Sequence, residues 1–154
     1  MRSNQLNRWL TLGANLGVLI GILFLAAEIR QTNTIAKAEV RNSLTQSVYT
    51  LLEMQRDPRQ IAVFERADED WESLSTEERI LLSSFASAIF RHYENAYYQH
   101  EYGVYETEQF EAEIADLDDS LTTPFLAFYW EHGSWGHGAR FRDFVEQRKA
   151  ELAK

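Results

Sequence analysis

The chain has 154 residues, with 24 acidic side chains against 15 basic ones, a net charge of −9 and no cysteine. That length allows one small domain beside an anchor, and the missing cysteine excludes disulfide frameworks, thiolate metal sites and cysteine nucleophiles. The acidic balance argues against nucleic acid, whose phosphates demand a basic surface, and against docking on anionic lipid by charge alone.

The first element is the run Trp9 to Ala27, nineteen residues without a formal charge, followed at once by Glu28, Ile29, Arg30 and Gln31. As a helix it is roughly 28 Å long, about the thickness of a hydrocarbon core, which predicts a transmembrane span. A cleavable signal peptide would also start with basic residues (Arg2, Arg8). Cutting after Ala27 or Ala26, however, would put Leu25 or Phe24 at a position that wants a small residue. A buried core helix is the other alternative, since Thr11 and Asn15 dilute the run; near one end, water or headgroups could satisfy both.

Within the span Gly13, Gly17 and Gly21 recur every four residues. They fall within about 80° of one another on a helix, so a second helix could approach backbone to backbone. The implied partners are the lipid bilayer and a homo-oligomer or membrane-protein partner packed on that stripe. Basic residues flank the span on both sides (Arg2 and Arg8 before; Arg30, Lys37 and Arg41 after), so the positive-inside rule does not orient it. The working assignment places the large domain in the cytoplasm.

No glycine or proline falls between Glu28 and Asp57, and Ile29, Ala36, Val40, Leu44, Val48 and Leu51 share one helix face. This predicts one continuous helix from about residue 4 to residue 55. Asp57-Pro58 then reads as an N-cap and first-turn pair opening a helix to about Ala67, with Ile61, Ala62 and Phe64 inward. Asp68-Glu69-Asp70-Trp71 reads as an acidic loop closed by an aromatic. Ser75-Thr76-Glu77-Glu78 is a capping box, and the helix behind it runs to Tyr102, with Gly103 as its left-handed terminator. Further helices are expected over Thr107–Leu117, from Pro124 to His132-Gly133, and over Ala139–Leu152. No stretch alternates as a strand would, so the fold class is all-α. It comprises residues 1–8 as a leading segment, 9–27 as the transmembrane helix, and 28–154 as an acidic helical domain forming a small bundle.

Two clusters carry candidate chemistry. On the helix after Ser75, His100 falls at the centre of the face formed by Leu82, Ala86, Ile89, Tyr93, Ala96 and Tyr97, with Glu94 and Glu101 at its margin. A histidine between two carboxylates could hold a metal or act as an acid–base pair, although the Glu-x-x-His pairs of a di-iron bundle are absent. The structural alternative is a core histidine held by a carboxylate or a backbone carbonyl. The second cluster is Trp130-Glu131-His132-Gly133-Ser134-Trp135-Gly136-His137-Gly138. His132 and His137 with Glu131 could bind a divalent ion, and a glycine-punctuated turn pinned by aromatics explains the same residues. No nucleophile elbow and no phosphate loop occurs, and no cofactor is implied.

The run Asn15–Gln31, of the form NLGxLxGxxFLAxEIRQ, resembles the N-terminal anchor of a set of short, uncharacterised bacterial single-pass membrane proteins with an all-helical domain. Glu94, Gly103, Pro124, Trp130, Phe141 and Phe144 are similar in order and spacing; the Gly136–Gly138 loop is not part of the likeness. The resemblance implies bacterial origin and a membrane location, and carries no activity or catalytic residue. The expectation is therefore a non-enzymatic interaction, scaffold or accessory protein. The alternative is a helical enzyme or sensor using His100 with Glu94 and Glu101, or the His132/His137 loop.

Overall fold

The computed structural model describes residues 2–56 and 58–154, and the side chains of all these except residues 2–4, 6, 58 and 59. The described residues form six helices in chain order: α1 Arg2–Met54, α2 Pro58–Glu69, α3 Thr76–Glu101, α4 Thr107–Thr122, α5 Pro124–Gly133 and α6 Ala139–Leu152. Short 3₁₀ turns lie at Trp71–Ser73 and Ser134–Gly136, and no strand occurs among the described residues. The all-α expectation holds. Asp57, expected to cap α2, lies outside the described residues. The chain divides into two compact units, Met1–Ala38 and Glu39–Lys154.

The first unit is the leading part of α1. Every described residue from Asn7 to Ile35 is exposed, and this helix is long and apolar enough to cross a membrane. Its threonine hydroxyls are satisfied internally: Thr11 donates to the carbonyl of Asn7 (2.9 Å), and Thr32 and Thr34 donate to those of Glu28 and Arg30. Thr11 thus has a partner without water or headgroups.

The second unit is a bundle with α3 at its centre. Leu82, Phe85, Ala86, Phe90 and Tyr93 of α3 meet Leu117 and Leu121 of α4, Phe125, Leu126 and Trp130 of α5, and Phe141 and Val145 of α6. Beyond them Ala96 joins Leu44, Tyr105 and Phe110 in a second cluster. The bundle covers Val40, Leu44, Val48 and Leu51 of the expected α1 stripe wholly or partly, whereas Ile29 stays 54% exposed. In α2 the inward residues are Val63, Phe64 and Ala67; Ile61 and Ala62 are exposed, which corrects the expected face. The 63/67 pair, four apart, is what meets the neighbouring helices.

Helix boundaries follow local chemistry. The capping box forms as expected: the Ser75 hydroxyl accepts the Glu78 amide (3.3 Å), and the Glu78 carboxylate accepts the Ser75 amide (2.9 Å). The carboxylate also takes the Arg66 guanidinium of α2. At the other end of α3, Gly103 adopts φ +72°, with the Val104 amide on the Gln99 carbonyl and the Gly103 amide on that of His100, a Schellman closure. Helix α4 runs five residues beyond the expected Leu117, because Leu121 continues the apolar stripe and only Pro124 forbids extension.

No atom lies within 4 Å of where a Gly103 side chain would begin, so substitution there tests backbone conformation alone. Gly103→Ala should cost about 1 kcal/mol in urea unfolding, and Gly103→Asn less, since asparagine tolerates the left-handed region. Equal midpoints for all three proteins would show that the left-handed turn does not limit stability.

Candidate functional site

Within the second unit, buried polar groups gather in an assembly around Glu94 and another around His92, with a cavity beside the latter. The first assembly centres on Glu94. Its carboxylate accepts the Gly138 amide on Oε1 (2.7 Å), the His137 ring at Nδ1 on Oε2 (2.8 Å) and the Arg91 guanidinium on Oε2 (2.8 Å). Arg91 also donates to the Gly136 carbonyl (2.6 Å), while Arg142 of α6 donates to that of His137 (2.9 Å). The His137 ring is buried among Trp130, Phe90 and Phe141, and the Trp130 indole donates to Glu146 of α6 (2.7 Å). Gly138 packs closely: a Cβ there would stand 2.5 Å from the Tyr98 hydroxyl and 3.1 Å from Glu94, so a side chain enters only if Tyr98 gives way. Burial works against ionising Glu94, but the Gly138 amide, His137 and Arg91 overcome it and hold the carboxyl below its ordinary value.

The expected grouping of His100 with Glu94 and Glu101 does not assemble. His100 is half-buried, its Nδ1 faces the Tyr105 carbonyl (3.2 Å) and its ring stacks on Phe110 at 4.1 Å. Glu101 pairs with Arg140, and Glu94 faces the other candidate loop. His132 and His137 are also separated in role: His132 sits on the Phe128 carbonyl and ring, while His137 turns inward to Glu94. The structure therefore joins one residue from each expected cluster. Among the described residues, no three His, Asp or Glu side chains are placed together to hold a metal ion.

The second assembly contains none of the expected residues. His92, only 5% exposed, places Nε2 2.9 Å from Glu113 of α4 and Nδ1 3.3 Å from the Ser47 hydroxyl of α1. Tyr105 donates its hydroxyl to the other Glu113 oxygen (3.1 Å). Burial opposes the Glu113 charge, but hydrogen bonds from His92 and Tyr105 hold the carboxyl below its ordinary value. Burial, together with the Glu113 charge, pushes the Tyr105 phenol up to about 12. A sequence signal for this site exists: Phe110, Glu113, Leu117 and Leu121 follow helical spacing, so a carboxylate stands in the apolar stripe of α4.

Serine, histidine and glutamate in that order invite a hydrolytic reading, but the surroundings do not supply one. Ser47 lies within α1, whose backbone amides are consumed by helical bonds, so that helix itself offers no pair of free N–H groups to receive an oxyanion. The array ties three helices together.

Beside it lies a cavity of about 420 Å³, walled mainly by apolar side chains of α1, α2, α3 and α5, with His92, Glu113 and the Tyr93–Ser120 hydroxyl pair (3.0 Å) at its polar end. No protein-family model, curated protein or solved structure matches the chain. What stands is a helical bundle and one helix long and apolar enough to cross a membrane.

A carboxyl with a lowered folded-state pKa stabilises the fold above its ordinary value of 4.5 and loses that contribution as pH falls through the folded value. The thermal midpoint should therefore fall on acidification below about pH 4.5. Glu94→Gln, which removes the charge, should cost about 2 kcal/mol at pH 7 and shrink the acid-side loss. A variant as acid-sensitive as the parent would remove Glu94 from this role.

Proposed function

We propose that this chain is a bacterial inner-membrane protein with a single span over Trp9–Ala27. In this reading it works without catalysis, as an interaction, scaffold or accessory subunit. The observation that carries the proposal is the uninterrupted exposure of large apolar side chains. The eleven from Trp9 to Leu25 are each 52–72% exposed, on all sides of a helix. A surface of that extent is stable in a bilayer and a liability in water.

The glycine stripe supplies the interaction part of the reading. No protein atom outside the local helix lies within 4 Å of a Cβ built at Gly13, Gly17 or Gly21. A second helix can use that space for close van der Waals contact, in lipid where apolar surface alone gives no drive to associate. The partner is a second copy of the chain or another membrane helix. The large domain is assigned to the cytoplasm, an orientation that the flanking basic residues leave open.

Membrane retention and helix association both test the proposal. The protein should stay with membranes after carbonate washing; release would remove the span. Because the chain has no cysteine, single substitutions report contact cleanly. Gly17→Cys should cross-link in membranes while Leu19→Cys, about 200° away around the helix, should not. Gly17→Ile should weaken association roughly tenfold or more. A strict monomer in mild detergent with no companion protein would sink the interaction role.

A further inference from the structure

The cavity beside His92 has a composition that neither the span nor the bundle core requires. Its volume, about 420 Å³, is in the range of small-molecule sites. One wall is apolar, with Leu51, Phe64, Phe85, Ile89, Phe125 and Leu126. The other end is polar, and its groups differ in what they have left to offer. His92 has both ring nitrogens engaged, by Ser47 and Glu113. The Tyr93 and Ser120 hydroxyls are paired with each other. Each Glu113 oxygen takes one hydrogen bond, from His92 or from Tyr105, which leaves each a further acceptor site. Asp116 lines the cavity and is exposed, with no ion pair among the described residues.

Gln55 and Thr123 also line the cavity with neutral groups that donate as well as accept, so the charged capacity that remains is that of the carboxylates, and it is negative. Among the described residues, no arginine or lysine lines the cavity. The field of the carboxylates is felt at its polar end: burial first, and then the charges of Asp116, Glu113 and Asp119, push the Tyr93 phenol above its ordinary value. A ligand carboxylate or phosphate would meet like charge at Glu113 and Asp116. A protonated amine on an apolar body would match both ends.

We propose that this cavity binds a small amphipathic organic cation, its apolar body against Phe64, Phe85 and Phe125 and its ammonium group at Glu113 and Asp116. The site belongs wholly to the second unit, so it stands or falls separately from the membrane reading.

The test is calorimetric titration of the full chain in phosphatidylcholine nanodiscs, with empty nanodiscs as the blank. The probes are 4-phenylbutylamine and 4-phenylbutyrate, which share an apolar body and differ in charge. The amine should bind saturably, and the carboxylate roughly tenfold more weakly or not at all. Asp116→Asn, on an exposed side chain, should weaken the amine roughly threefold or more. Leu52→Trp, at a half-exposed lining position, should block binding while circular dichroism and the melting midpoint stay as in the parent. If Leu52→Trp fails to fold, Asp116→Asn decides. Equal affinity for the two probes, no saturable heat from the amine up to about millimolar concentration, or an amine affinity unmoved by Asp116→Asn would each overturn the proposal.

Discussion

A helix covered on several sides cannot leave a carboxylate or an imidazole to water, and α3 carries both inward. Glu94 and His92 are 7% and 5% exposed, and each must be matched from another part of the chain. Residues two apart on a helix point about 200° from one another, so the two groups face nearly opposite sides of α3. On one side the α5–α6 connection answers Glu94, through the His137 ring and the Gly138 amide. On the other, α4 and α1 answer His92, through Glu113 and Ser47. Helix α3 is thus held between two polar ties as well as within the aromatic core.

The ties and the core do different things. Burial of Phe90, Trp130 and Phe141 supplies apolar transfer free energy, but such contact tolerates sliding and rotation. A carboxylate with three donors does not. Moving the α5–α6 connection by one residue would leave Glu94 charged, buried and short of its partners, which costs more than the intact arrangement gains. Gly138 adds a steric demand to the electrostatic one, since a side chain there would have to displace the Tyr98 hydroxyl. Register at this end of the bundle is set by these polar and steric demands.

This division also explains what could be read from the residues alone. Helix starts and stops are local, so Ser75 with Glu78 and the left-handed Gly103 were legible, as was the apolar run of α1. Polar partnership is not local. Glu94 and His137 are 43 positions apart and His92 and Ser47 are 45 apart, and no spacing rule connects them. Reading α3 as packed on a single face placed His100 at its centre. The helix is in fact enclosed more widely, which makes His92 the buried histidine and leaves His100 half-covered, on a backbone carbonyl at the helix end. Sequence periodicity finds the middle of an apolar stripe; it does not tell how far around the helix neighbouring elements reach.

The leading part of α1 obeys the opposite constraint. It has no covering helix within its own unit, and its threonine hydroxyls return to carbonyls four residues back, the arrangement that leaves the fewest polar groups in need of a partner. Three glycines in such a helix are costly in water, by roughly 1 kcal/mol each relative to alanine. Among the described residues, no contact offsets that cost where the side chains are missing. An offset arises if another backbone comes close enough to use the groove, and this is why the proposed association is assigned to the glycine face. The leucines, isoleucines and phenylalanine around it are suited to lipid on every side.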